Sequence, residues 1–212
     1  MKYTKIFAGA LAAVLMMGTF AGCSKSEKEG NTNEGTADGN SFVITLRPDV
    51  APITCENFES LVNDGFYDGL KFHRVVDGFM AQGGDPNGDG TGGSNKTIKG
   101  EFADNGVEND LSHQKGVVSM ARSQMPDSAS SQFFICYGDC SFLDGQYAAF
   151  GEVTEGMDVV DSFLKVERKA NSMGEIAVPV TPITISKAVM IDADENGNPR
   201  VQFTMNDIPV AE

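Results

Sequence analysis

Histidine occurs only twice in the 212 residues, and tryptophan not at all. His73 and His113 stand far apart, and neither has a Cys or Glu at ligand spacing, so no zinc-type site is expected and no metal is assigned. Basic residues are scarce. The 16 Lys and Arg face 30 Asp and Glu, leaving a net charge of −14, which excludes the basic face that nucleic acid binding requires. The acidic residues are scattered, as on a solvated surface. The glycine-rich stretch KFHRVVDGFMAQGGDPNGDGTGG (71–93) gathers a His, an Arg, a Gln, two Phe and a Met, yet it holds no evident nucleophile and no metal cluster.

Only one long apolar run is present, and it stands at the start. Lys2 and Lys5 precede apolar residues from Ile6 to about Met17, the layout of a secretory signal peptide and too short for a comfortable membrane span. The run closes on Phe20-Ala21-Gly22-Cys23, which resembles the bacterial lipobox, with Phe20 replacing the usual Leu. That resemblance implies cleavage before Cys23 and lipidation of its sulfur, hence an extracytoplasmic protein anchored to the bacterial cell membrane. Residues 23–40 lack large apolar side chains and are rich in Gly, Asn, Ser and Glu, so they are expected to form a flexible tether. With Cys23 given to lipid, Cys55, Cys136 and Cys140 remain. Pairing of Cys136 with Cys140 across a turn and three free thiols are both open.

From Ser41 onward short apolar runs are punctuated by glycine. Strands are expected at 42–47, where alternation suggests one face more buried, and at 71–76, 79–82, 116–121, 132–136, 148–153 and 182–191. Two segments carry helical spacing. Residues 52–65 open on Pro52 and reach Gly65 as a terminator, while 154–166 place Thr154 as a cap before the stripe Met157, Val160, Phe163 and Leu164. Many strands and two helices predict an all-β-dominated fold, a closed antiparallel barrel plugged at its ends. Residues 193–212 contain the turn Asn196-Gly197-Asn198-Pro199 and a strand-like VQFTM, and are expected to form a C-terminal extension, an extra hairpin against the barrel.

Two motifs in the glycine-rich loop carry no function. Gly88-x-Gly90-x-x-Gly93 fits a dinucleotide fingerprint but is followed by SNKTIKGEF, which has no helical stripe. Asp85, Asn87, Asp89 and Gly90 mimic the start of a calcium loop, but position twelve is Lys96 rather than a bidentate Glu.

The blocks FHRVVDGFMAQGGD, GTGG, GVVSMAR, SSQFFIC, FLDGQYAAFGEVTEGMDVVD and PITI, in this order, resemble the cyclophilins over residues 41–192. The resemblance implies a closed eight-stranded antiparallel barrel capped by two α-helices, and peptidyl-prolyl cis/trans isomerisation without a cofactor. It implies Arg74 as the catalytic arginine and Gln82 as the glutamine that holds substrate backbone and steadies it. Phe79, Met80, Phe134 and Leu143 match the walls of the proline pocket. Ala121 and Arg122 match the pair that meets extended substrate backbone, with Arg122 in place of the commoner Asn, and Gln132 shares a strand face with Phe134. Tyr147 stands where many members have His, and Phe142 where many have Trp. Since that Trp donates to cyclosporin, weak binding of the drug is implied.

The expected organisation is a signal peptide (1–22), a tether (23–40), an isomerase domain (41–192) and an extension (193–212). A monomer is expected, acting on proline-containing polypeptides of secreted or envelope proteins as they fold. The alternative is a proline-peptide binding or chaperone module with little turnover; a two-lobed solute-binding lipoprotein is disfavoured by the chain's length and by the lack of two similar lobes.

Overall fold

The computed structural model describes residues 39–208, so the signal peptide, Cys23 and the tether up to 38 lie outside the described residues. Eleven strands and two α-helices run in the order β1 (Ser41–Leu46), α1 (Pro52–Asn63), β2 (Lys71–Phe72), β3 (Arg74–Val76), β4 (Met80–Gly83), β5 (Val117–Met120), β6 (Phe133–Cys136), β7 (Ala149–Glu155), α2 (Met157–Ser162), β8 (Arg168–Ala170), β9 (Ile176–Pro179), β10 (Ile183–Ile191) and β11 (Arg200–Met205). Nine strands form one antiparallel sheet in the order β2-β10-β11-β1-β7-β5-β6-β4-β3, and β8 and β9 form a separate hairpin.

The two outer strands of that order, β2 and β3, are neighbours in the chain, separated only by His73. Counting them as one strand interrupted at His73 turns nine strands into eight and brings the sheet round to a nearly closed barrel. The expected all-β barrel with two helices is therefore the observed fold. Wrapping a sheet on itself hides its edges and encloses one core.

Aromatic rings fill that core. Phe42, Phe58, Phe72, Phe133, Phe150, Phe163, Phe203 and Tyr67 are all fully buried. Phe58 of α1 packs its ring 4.9 Å from Phe150 and 5.5 Å from Phe133, so the helix acts as a plug. Pro52 opens this helix, as its fixed φ permits. Gly65, at φ +68°, ends it, with its own N–H donating to Val62 and that of Phe66 to Leu61, a Schellman closure that a side-chain-bearing residue would strain.

Three expectations need correction. Thr154 does not cap α2: it is still inside β7 and its hydroxyl pairs with that of Thr45 at 2.9 Å. The N-cap is Gly156, whose φ of +72° turns the chain where an added Cβ would lie 2.8 Å from the Phe42 Cα. Close backbone approach and a left-handed turn override the hydroxyl's local preference. Second, β1, which lies between β11 and β7, is buried at all six positions rather than mainly on one face. Third, residues beyond Asp192 are no appendage. The hairpin forms, but β11 inserts between β10 and β1, pairing Phe203 with Phe42 on one side and with Ala188 on the other. The domain boundary expected at Asp192 thus falls inside the barrel.

Candidate active site

Strand register assembles the site. Across β3, β4, β6 and β5 the partners Arg74, Gln82, Phe134 and Ser119 form one row, and Val76, Met80 and Cys136 form the next but one on the same face. Because alternate residues of a strand share a face, one wall presents a guanidinium, an amide and apolar surface together. Arg74, Phe79, Met80, Gln82, Ala121, Arg122, Phe134, Leu143 and Tyr147 line a pocket of about 190 Å³. Met80, Phe134 and Leu143 are buried beneath it, beside Cys136 and Cys140. Both of these thiols and Cys55 are free, and burial pushes Cys55 up to about 12 and Cys136 higher still, which makes them inert.

Two expected site residues do not line this pocket but border it. Gln132 lines an adjoining pocket of about 250 Å³ that shares Gln82, Ala121 and Arg122 with the first. Phe142 stays on the rim, 64% exposed, its ring 5.7 Å from that of Phe79. A larger groove of about 560 Å³ runs between α1 and residues 94–99, but its charged groups, Glu56, Asp64, Lys96 and Lys99, are not joined by any of the site residues.

Hydrogen bonds fix the polar groups. Gln82 Nε2 donates to Gln132 Oε1 at 2.8 Å, and Gln132 Nε2 donates to the Gly92 and Gly90 carbonyls at 2.7 and 3.1 Å, tying β4 and β6 to the glycine-rich loop. Arg122 donates to the Gln146 carbonyl through Nε and Nη2 at 3.0 and 2.8 Å and lies 4.7 Å from the centre of the Tyr147 ring. Arg74 corrects an expectation. Gln82 is its register partner, yet the guanidinium donates instead to Glu175, Nε to Oε2 and Nη2 to Oε1, each at 2.8 Å. Its Nη1 lies 4.0 Å from Met80 Sδ, and its Cζ lies 5.6 Å from the centre of the Phe79 ring. Bonding to Arg74 holds the Glu175 carboxyl below its ordinary range.

The glycine-rich loop is a scaffold. Burial pushes the Asp85 carboxyl up, but the N–H groups of Asn87, Gly90, Gly92 and Asp89 outweigh this and hold it low. Asp85 Oδ1 accepts from Asn87 at 2.9 Å, and Oδ2 from Gly90 and Asp89 at 2.6 and 3.1 Å, so the carboxylate that opened the calcium-like pattern shapes the loop itself. Among the described residues no three His, Cys, Asp or Glu stand together as a metal site would need.

Sequence reading also missed a relay behind the pocket. Ser119 Oγ and His113 Nε2 are 2.9 Å apart, and His113 Nδ1 is 2.7 Å from Asp144 Oδ1. The order is that of a hydrolytic triad, but Ser119 is fully buried and no carbonyl can reach it. Burial lowers the His113 pKa more than Asp144 raises it, so the ring is neutral at pH 7, donating to Asp144 and accepting from Ser119. The ring stacks 6.1 Å from Phe134, backing the pocket wall.

This neutrality predicts a pH dependence. His73 and His113 are both held below 6.5 by burial, and a histidine with a depressed folded pKa contributes stability above its unfolded value that is lost as pH falls. The urea midpoint is expected to be level from pH 8 to 7 and to drop as the pH falls below about 6.5, before any carboxylate titrates. A midpoint that rises between pH 7 and pH 5 would contradict it.

Comparison with known proteins decides the family. A profile described as "Cyclophilin type peptidyl-prolyl cis-trans isomerase/CLD" matches residues 31–190. Peptidyl-prolyl cis-trans isomerase B of Bacillus subtilis is 44% identical over 141 residues, 66% of this chain and 92% of that relative. A probable peptidyl-prolyl cis-trans isomerase of Brucella suis is 39% identical over 199 residues, 88% of this chain and 95% of the relative. The chain belongs to the cyclophilin family. Its activity is accordingly the cis/trans isomerisation of X–Pro peptide bonds. A Cryptosporidium parvum cyclophilin crystallised in the presence of the dipeptide Ala-Pro superposes with a TM-score of 0.59 at 27% identity, covering 70% of this chain and 96% of that one. The profile match stops at residue 190, so β11 lies beyond it although the cyclophilin barrel of this chain includes the strand.

Proposed function

We propose that Arg74 is the transition-state donor, that the pocket walled by Phe79, Met80, Phe134 and Leu143 takes the proline ring, and that Gln82 and Ala121 meet the substrate backbone. Rotating an X–Pro bond breaks no covalent bond, so the site needs no nucleophile. The barrier of about 18–20 kcal/mol is amide resonance. On twisting, the prolyl nitrogen becomes pyramidal and gains a lone pair, and a donor aimed there binds the transition state more tightly than either ground state. Five powers of ten in rate correspond to about 7 kcal/mol. The observation that carries this reading is the position of Arg74 Nη1, on the same apolar pocket as Met80 Sδ, with the guanidinium permanently charged. Crystallisation of the Cryptosporidium parvum relative in the presence of Ala-Pro supports a proline-containing substrate. A binding module with little turnover would bind such peptides without exchanging them, which is the outcome that separates the two readings.

We further place the enzyme outside the cytoplasm, anchored by lipid at Cys23 and held off the membrane by residues 23–40, where its substrates are secreted or envelope polypeptides during folding. The lipobox-like ending supports this. Cys23→Ser is expected to move the protein from membrane to soluble fractions without slowing isomerisation, and intact-mass analysis showing unmodified Cys23 in native membranes would refute the anchor.

Cyclosporin is expected to bind weakly, because Phe142 presents an exposed ring with no donor. One lost hydrogen bond is worth about 0.5–1.5 kcal/mol, so Phe142→Trp should inhibit at roughly tenfold lower drug concentration. Equal titration curves for the two proteins would remove Phe142 as the determinant.

A further inference from the structure

The β8–β9 hairpin has no place in the barrel sheet, yet it delivers a carboxylate to the active-site arginine. Glu175 meets the Nε and Nη2 edge of Arg74 with two parallel bonds of 2.8 Å, a bidentate fork that fixes the plane of the guanidinium as a single contact could not. The carboxylate is itself held. Asn171 Nδ2 donates to Glu175 Oε2 at 3.0 Å, while Asn171 Oδ1 accepts the backbone N–H of Glu175 at 3.0 Å and that of Met173 at 2.9 Å. Arg168 secures the first strand of the hairpin to β3 by donating to the Val75 carbonyl at 3.4 Å.

The fork occupies the edge of the guanidinium away from Nη1, the nitrogen nearest Met80 Sδ. Gln82, opposite Arg74 in register, is bonded to Gln132 instead. We propose that Glu175 is a positioning residue for isomerisation, clamping Arg74 from the β8–β9 hairpin so that Nη1 points at the prolyl nitrogen. An arginine has four rotatable side-chain bonds and loses much rotamer entropy when it is fixed; a clamp made in the free enzyme supplies that order before substrate arrives. The inference rests on the reading of Arg74 as donor. It assigns to a segment outside the barrel a part in the chemistry.

The test uses exchange NMR on an Ala-Pro peptide with the full chain, in which affinity and the exchange rate of bound peptide are measured separately. Glu175→Ala should slow exchange about tenfold and leave affinity within about twofold, the mark of lost orientation rather than lost binding. Glu175→Gln, which keeps an acceptor for one of the two bonds, should fall between Glu175→Ala and wild type. The Arg74 Nε–H resonance should be shifted downfield in wild type and revert in Glu175→Ala, while the barrel amide signals stay in place. In an Arg74→Lys background, which has no fork to clamp, Glu175→Ala should add less than about twofold. Exchange in Glu175→Ala at or above the wild-type rate would overturn the proposal, and so would the same tenfold loss in the Arg74→Lys background. An Arg74→Ala protein with normal exchange would instead remove the donor reading on which it stands.

Discussion

Ending the chain after Asp192 is expected to leave no cooperatively folded barrel. The truncation removes β11, which pairs with β1 over residues 41–45 and with β10 as far as Ile191, so it opens the sheet at its middle and exposes two unpaired strand edges. Val201, Phe203 and Met205 leave with it, all buried, and Phe203 stacks on Phe42 with ring centres 5.2 Å apart. At about 1.5–3 kcal/mol for each of the three buried side chains, their loss costs about 4.5–9 kcal/mol, before any cost of the lost backbone pairing. Domains are commonly stable by about 5–15 kcal/mol in all. The check is a thermal melt of the full and truncated chains by circular dichroism. A cooperative transition within a few degrees of the full chain's would show that β11 is dispensable.

The second large effect is on the chemistry. Arg74→Ala should slow X–Pro isomerisation by roughly 10²–10³-fold, the cost typical of removing one donor to charge that develops only in the transition state. The fold should survive, since the Arg74 side chain is 29% exposed and its removal opens no cavity in the core. Glu175 would lose its partner, but a pair this exposed is worth no more than about 1 kcal/mol. Arg74→Lys should also be poor: a compact ammonium cannot hold a carboxylate with one edge and reach the pocket with another. The thermal transition, measured alongside the rate, separates loss of the donor from loss of the fold.

Much of this was legible in the sequence where the signal is local. Short apolar runs punctuated by glycine marked the barrel strands, Pro52 and Gly65 bracketed α1, and the resemblance of FHRVVDGFMAQGGD and SSQFFIC to the cyclophilin blocks pointed to Arg74, Met80, Gln82 and Phe134, with strand alternation putting Met80 and Gln82 on one face. What remained hidden is non-local. Glu175 lies 101 residues from Arg74 in a stretch, NSMGE, that has no periodicity to distinguish it from a loop. VQFTM read as a strand, but which neighbours it takes depends on how the whole sheet closes, and nothing in five residues encodes that. The row Arg74, Gln82, Phe134 and Ser119 likewise depends on cross-strand register. Thr154 failed as a cap for a different reason: Gly156, two residues on, supplies a left-handed turn that extends β7 past the threonine.

The central claim is that this site catalyses rotation by electrostatic donation from Arg74 and does more than bind proline peptides. Two-dimensional exchange NMR on an Ala-Pro peptide, with the full chain present as wild type or Arg74→Ala, tests it most directly. Wild type should produce strong cross-peaks between the cis and trans proline signals, while Arg74→Ala should still shift the peptide resonances on binding yet give exchange slowed by roughly 10²–10³-fold. Binding by wild type without exchange, or undiminished exchange by Arg74→Ala, would contradict the account.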